Sequence, residues 1–477
     1  MRNLTMLTDL YQLTMMYGYY KKGVHERVAV FDMFFRRPVG ESSYAVMAGL
    51  EQLIELVNDL HFEKEDTDYL RTLHLFDDDF LAYLRTLRFD GEIYAIPEGT
   101  VVFPGEPLVR VKAKIVVAQL IETALLNIIN HQTLIATKAS RVVYAAEGGS
   151  VLEFGLRRAQ GPDAGLYGAR AAIIGGCDST SNVLTAQYFG GAPKGTHAHS
   201  WIMSFDCELE AFRAYADVFP TSCMLLVDTY DVLESGMKNA LIVFRELREK
   251  GYEPVGIRID SGDLAYLSKK CRKMMDDAGF PNAKVCASGD LDEWVIRDLK
   301  QQGALIDIWG VGTKLITSED YPALGGVYKL SAIERKGGGL DPRIKISENT
   351  WKITNPGYKN LVRIYDNATG KAIADLIMLA DEEAIDPSKP LTIFSPEETW
   401  KRSTLTNYSV RDLLVPIFVD GKQVYMSPGM LEIREFAKKE LATLWDEYKR
   451  FSRPHLYKVD LSQKLYDLKH SMIVEGF

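Results

Sequence analysis

Four short apolar runs punctuate the middle of the chain, in CMLLVDTYD, PVGIRIDSGD, AKVCASGDLDE and IDIWGVGT, and each ends in a cluster of Gly, Asp, Ser or Thr. Between them, Val232 to Lys250, Leu264 to Ala278 and Leu291 to Gln302 carry apolar residues at helical spacing. Asp231, Asp263 and Asp290 stand where an N-cap would. Strand and helix therefore alternate at a period of roughly 30 residues, which predicts parallel βαβ units. A doubly wound sheet and a barrel both fit this pattern. In either, ligands bind at the carboxyl ends of the strands, where the polar clusters fall.

The flanking regions read differently. GEIYAIPEGTVVFPGEPLVRV, from about residue 90 to 112, alternates apolar and polar positions around Pro-Gly turns and predicts a small β-rich module. Gly49 to Asp59 and Thr67 to Leu87 predict surface helices of the same part. Ile115 to Ile135 is the most apolar stretch, but Glu122, Asn127, Asn130 and His131 make it an amphipathic or buried helix and not a membrane span. After Leu330 the pattern breaks into strand-like pieces with Gly turns, then a Lys/Glu-rich helix near Glu432 to Phe451. The expected domains are a mixed α+β N-terminal domain over 1–135, an α/β barrel-like catalytic domain over 136–334, and a return segment with a C-terminal extension over 335–477. The first is expected to be rejoined by about 335–400.

Charge narrows the partners. A formal net charge of -9 argues against a nucleic-acid groove or an anionic membrane surface, so any anionic partner is small and met by a local basic pocket. Five cysteines, odd in number and without a CxxC pair, fit reduced thiols. Asp9 interrupts Met1 to Tyr20 where a signal peptide needs an apolar core, so a mature cytoplasmic protein is expected.

Candidate chemistry collects on the strand-end clusters and two further loops. Gly195-Thr-His-Ala-His-Ser200 puts two imidazoles and two hydroxyls on a glycine-led loop, suited to a phosphate, a base or a phosphoryl acceptor, while an HxH pair also serves metals. In Glu153-Phe-Gly-Leu-Arg-Arg158, Phe154 could stack on a planar ring and Arg157 hold a phosphate or carboxylate. Arg258 and Asp260, alternate residues of one strand end, suit a Mg-phosphate ligand. Ser288-Gly-Asp and Gly310-Val-Gly-Thr313 add glycine turns on successive strands, and Asp228 is a candidate carboxylate beside the capping Asp231.

Taken in order, LTDLYQLTM (Leu7 to Met15), FGLRRAQGPD (Phe154 to Asp163), GTHAHS, GIRIDSGD, GVGTKL and GGVYKL resemble the nicotinate phosphoribosyltransferase family, from the N-terminus to about Leu330 and more loosely beyond. The resemblance implies an incomplete parallel α/β barrel, a discontinuous β-rich N-terminal domain, a C-terminal extension, and a homodimer with active sites near the subunit contact. It makes His199 the phosphorylated histidine, flanked by Thr196 and Ser200, and Tyr11 a residue that crosses to the partner's site to sandwich a pyridine ring with Phe154. Arg157, Arg258, Gly289, Gly312 and Thr313 would hold phosphate or substrate groups, with Lys138 and Arg141 as further phosphate candidates. Asp228 and Asp260 would lie near the histidine and the Mg-bound ribosyl substrate. The implied reaction joins nicotinate to phosphoribosyl pyrophosphate, with Mg2+ and with ATP as co-substrate, in NAD salvage. A nicotinamide-using relative is the alternative: its aspartate would fall about at Thr180, where Ser179 and Thr180 here can donate to an acid. A metal-dependent barrel lyase using His197 and His199 is the other. The C-terminal region has no cysteine, so no structural zinc is expected.

Overall fold

The structure, a computed structural model, describes residues 3–474 and divides into two compact units. One comprises Ile135–Pro322 and Gly429–Arg434. Its six strands are all parallel, in the order Ser179–Thr180, Ser150–Glu153, Ile308–Val311, Lys284–Ser288, Gly256–Ile259, Met224–Leu226. Leu225, Ile257, Ile259, Val285, Ala287, Trp309 and Val311 are buried, as apolar runs covered on both faces must be. Met237–Glu249 and Leu264–Asp277 turn their apolar faces inward: Val243, Phe244, Leu247, Cys271 and Met275 join Phe280 over the strands.

Numbered along the chain, the order is 2-1-6-5-4-3. From strand three to strand six each step moves to the next neighbour in one direction, and the sixth lies beside the first. That is the cyclic order of a barrel opened between strands two and three, whereas a doubly wound sheet reverses direction part-way. Among the described residues no pairing joins the two edge strands. The fold is thus an incomplete parallel α/β barrel. The segment between its second and third strands carries the helices Val183–Phe189, His199–Met203 and Glu208–Val218, and the two-histidine loop.

The caps show why the helices begin where they do. Asp231 accepts from the amides of Leu233 and Glu234, and Asp263 accepts from Tyr266. Asp290 does not cap. It follows Gly289 (φ 94°) with a φ of 48°, and this left-handed pair delays the helix until Asp292 accepts from the Val295 amide.

The other unit comprises the chain up to Leu134, Ala323–Pro428, and Glu435 onward. Its seven-stranded sheet places Val28–Phe35 between Gly326–Glu334 and Val109–Lys114, and Glu92–Ala95 between Val109–Lys114 and Val415–Val419. The return therefore begins at Ala323 and not at residue 335, because Gly326–Glu334 is a strand of this antiparallel sheet. Lys359–Asp366 and Ala372–Leu379 form the centre of a second, four-stranded sheet, pinned by a fully buried bidentate pair, Arg363 with Asp375.

Three expected helices are each divided. Thr67 to Leu87 becomes Lys64–Thr72 and Asp78–Thr86, separated by His74 at φ 55° and recapped by Asp77. The apolar run from Ile115 becomes Ile115–Leu120 and Glu122–Ala146, and the late Lys/Glu-rich stretch becomes Met430–Thr443 and Asp446–Lys449. Among the described residues no helix is long and apolar enough to cross a membrane.

Candidate active site

Parallel register brings the strand-end side chains together. Cys286 lies opposite Arg258 and Ala287 opposite Ile259, so the next pair along is Ser288 and Asp260. Arg258 donates from Nε to Ser288 Oγ (2.8 Å), from Nη1 to Thr196 Oγ1 (3.0 Å) and from Nη2 to Asp260 Oδ1 (2.7 Å). The Ser288 hydroxyl also donates to Asp260 Oδ1. The guanidinium sits 5.6 Å from the centre of the Phe154 ring. Burial alone would raise the Asp260 carboxyl, but the Ser288 and Arg258 hydrogen bonds and the charges of Arg258 and His199 outweigh it and hold the group below its ordinary value. Arg258 therefore reaches any ligand with three of five donors already committed.

Two close approaches shape this surface. Gly289 bears so directly on the Asp260 carbonyl that a Cβ would stand 2.2 Å from its oxygen. The Phe154 ring lies on Gly310, where a Cβ would meet it at 2.7 Å. Gly312 caps the short helix Thr313–Ile316. Arg157 is exposed in the turn Leu156–Arg158.

The two loop histidines have different surroundings. His197 is buried: its Nε2 accepts the Leu226 amide (3.3 Å) and its ring meets Tyr215 edge-on at 4.6 Å. Burial, opposed by an interaction of the ring with the Ala198 backbone and reinforced by the charges of Arg258 and His199, pushes it down to about 4, so it is neutral at pH 7. His199 starts the helix His199–Met203 with its side chain 41% exposed. Its Nδ1 is 3.1 Å from Thr229 Oγ1 and its Nε2 3.9 Å from Asp260 Oδ2. Ser200 follows it, exposed. Asp228 accepts the Asp260 amide (2.9 Å) and the Ser261 hydroxyl (2.7 Å) on Oδ2, while its buried Oδ1 has no hydrogen-bond partner among the described residues.

Arg258, Asp260, Thr196, His199, Asp228, Phe154 and Gly289 thus share one strand-end surface. Four other candidates are otherwise engaged. Thr180 is buried and donates to Glu153 Oε2 (2.5 Å), and Ser179 is buried and donates to the Ala192 carbonyl (2.7 Å), so neither hydroxyl is offered to a ligand as expected. Lys138 and Arg141 hold the buried Glu293 at 2.6 and 3.0 Å, with Asp320 also 2.7 Å from Lys138; a phosphate there would have to break these pairs. Tyr11, in the other unit, is half exposed on Leu10–Lys21, its phenol raised by partial burial and by Glu122 and Asp9.

Thr229 and Glu153 were not singled out by sequence as functional residues, and Ser288 entered only as the start of a glycine turn. Glu153 is fully buried, accepts from Gly155 and Thr180, and is pushed up by that burial against both hydrogen bonds. Only their places at strand ends could have drawn attention to them. Among the described residues no group of three or more His, Cys, Asp or Glu is arranged to hold a metal.

Comparison with known proteins gives this geometry a context. The N-terminal domain of nicotinate phosphoribosyltransferase matches residues 6–130, and its C-terminal domain residues 358–469. A Bacillus subtilis protein named nicotinate phosphoribosyltransferase is 48% identical over 473 residues, covering 99% of this chain and 96% of its own. A Caenorhabditis elegans protein of the same name is 37% identical, covering 99% and 93%. The crystal structure of human nicotinic acid phosphoribosyltransferase superposes with a TM-score of 0.85 at 31% identity, over 98% of this chain and 100% of that one.

Proposed function

This chain belongs to the nicotinate phosphoribosyltransferase family, and on that footing we propose that it makes nicotinate mononucleotide and pyrophosphate from nicotinate and phosphoribosyl pyrophosphate, coupled to ATP hydrolysis through phosphorylation of His199. The supporting observation is the arrangement at His199: a partly exposed imidazole, one nitrogen against Thr229 and the other facing the Asp260 carboxylate of the Arg258 cluster.

Displacing pyrophosphate from an anomeric carbon passes through a cation-like state, and a pyridine nitrogen attacks without a strong base. The protein has to place the ring, hold phosphates and stabilise the leaving charge. Phe154 offers a ring face beside the Arg258 guanidinium, and Tyr11 is placed by this reading on the opposite ring face across a homodimer contact. The two uncommitted Arg258 donors take anionic oxygens. Asp228 Oδ1, buried without a hydrogen-bond partner among the described residues, and Asp260 Oδ2 are carboxylate oxygens of the kind that Mg2+ uses when phosphates and water supply its other ligands. Such an ion supplies charge neutralisation on the leaving pyrophosphate. A phosphoryl group on His199 adds about two negative charges beside that site, which couples ATP to substrate affinity. The cytoplasm, which keeps thiols reduced, is the compartment this reading assigns.

Incubation with ATP should label the protein with an acid-labile, base-stable phosphate that is lost in His199→Ala and largely kept in His197→Ala. Nicotinate and nicotinamide compared by kcat/KM should differ by about 100-fold or more in favour of the acid. Equal use of the two bases would identify an amide-using enzyme on the same fold.

A further inference from the structure

His199 carries two ring nitrogens, and only one can be the phosphoryl acceptor at a time. A histidine ring rotates about a broad, roughly two-fold torsion that exchanges the sides on which its nitrogens lie. With its side chain 41% exposed, packing alone leaves both orientations open to His199. Thr229 breaks that symmetry: its Oγ1 is 3.1 Å from Nδ1, while Nε2 faces Asp260 Oδ2 at 3.9 Å, beyond hydrogen-bond distance.

The hydroxyl is itself well placed to do this. Thr229 is β-branched and stiff about its first torsion. It follows Asp228, whose carboxylate is fixed by the Asp260 amide and the Ser261 hydroxyl. On its other side Asp231 is committed to the cap of Val232–Gly236. The residue is held from both directions along the chain.

We propose that Thr229 is the positioning residue of His199, holding one ring nitrogen by hydrogen bond and thereby fixing which nitrogen takes the phosphoryl group. The inference rests on the phosphohistidine reading above. In the step, a bond forms between the free ring nitrogen and the γ-phosphorus of ATP. The bond from that phosphorus to the β,γ-bridging oxygen breaks, and ADP leaves with the electron pair. The attacking nitrogen must be unprotonated, so the ring proton resides on the nitrogen that faces Thr229 and is donated to its hydroxyl oxygen.

The test compares full-length wild type, Thr229→Val and Thr229→Ser after reaction with ATP, with the phosphohistidine isomer read by 31P NMR in base. Wild type should give one isomer. Thr229→Val should label about tenfold more slowly, equivalent to one hydrogen bond's contribution, and give both isomers. Thr229→Ser should restore the single isomer. A single isomer at the wild-type rate in Thr229→Val would overturn the proposal. A second readout is independent of phosphorylation: 15N spectra of the His199 ring in the free protein should show one tautomer in wild type and Thr229→Ser and a mixture in Thr229→Val. An unchanged tautomer in Thr229→Val overturns the proposal even where no phosphate is acquired. Label that persists in His199→Ala refutes the phosphohistidine reading instead, and the 15N spectra still decide the role of Thr229.

Discussion

Arg258 spends three of its five donors on Ser288, Thr196 and Asp260, so its removal does more than delete a ligand contact. Arg258→Ala leaves a half-buried carboxylate without its counter-charge. It should lower kcat/KM by the equivalent of about 2 to 5 kcal/mol while the far-UV spectrum persists, and Arg258→Lys should recover only part, because a compact ammonium has three donors and no planar fork, leaving none for a ligand once these three acceptors are met. His197 gives a pH signature of a different kind. Its folded value of about 4 lies below the ordinary 6.5, so between those values the unfolded chain binds the extra proton. Stability is then fully present above 6.5 and lost as pH falls towards 4, by about 3 kcal/mol for this group. Urea titrations from pH 7 to 4 should show that slope, flattened in His197→Gln. Thr180 offers a third test. Since its hydroxyl is 2.5 Å from the buried Glu153, Thr180→Asp sets two carboxylates together in the interior and should cost about 3 kcal/mol of stability, whatever it does to base preference. The motif GTHAHS offered His197 and His199 alike, and the resemblance to the family made His199 the candidate. Thr229 and Glu153 left no such trace: a threonine after an aspartate, or a glutamate closing a strand, gains its role only from a neighbour 30 or 27 residues distant.

At the scale of elements, two glycines set how closely strand ends approach. Gly289→Ala places a methyl against the Asp260 carbonyl on a left-handed backbone and should lose about 2 kcal/mol of stability or more, with activity falling alongside as Asp260 shifts. Gly310→Ala displaces the Phe154 ring and should raise KM for the pyridine base more than it lowers kcat; an unchanged KM would place Phe154 outside the base site. The alternation of strand and helix was legible because buried parallel strands read as apolar runs ending in turn residues. Cap positions were legible at Asp231 and Asp263, where the chain runs directly from strand to helix. At Asp290 the reading failed because two successive left-handed residues, Gly289 and Asp290, intervene, and an aspartate before a helix suits a left-handed turn as well as a cap. One divided helix failed for a related reason: periodicity continues across His74 although the backbone, left-handed there, does not.

For the whole molecule, the catalytic-side unit is nearly contiguous while the other is assembled from separated stretches. Val28–Phe35 depends on Gly326–Glu334, and Glu92–Ala95 on Val415–Val419, for a neighbouring strand. A fragment ending at Leu134 should therefore show no cooperative unfolding by circular dichroism, whereas co-expression with the segment from Ala323 onward should restore a transition. Such long-range antiparallel pairing is invisible to local pattern, which is why the return was set too late. The cyclic strand order was equally beyond reach, since alternation alone fits two architectures. The segment bearing His199 joins the two edge strands, which share no ladder among the described residues, so no strand register sets its length, while Ala192 and Lys194 tie it to Ser179 and Thr180. An engineer wishing to lengthen or graft the histidine segment therefore has a seam whose length no sheet dictates, provided the ties of Ala192 to Ser179 and of Lys194 to Thr180 are kept.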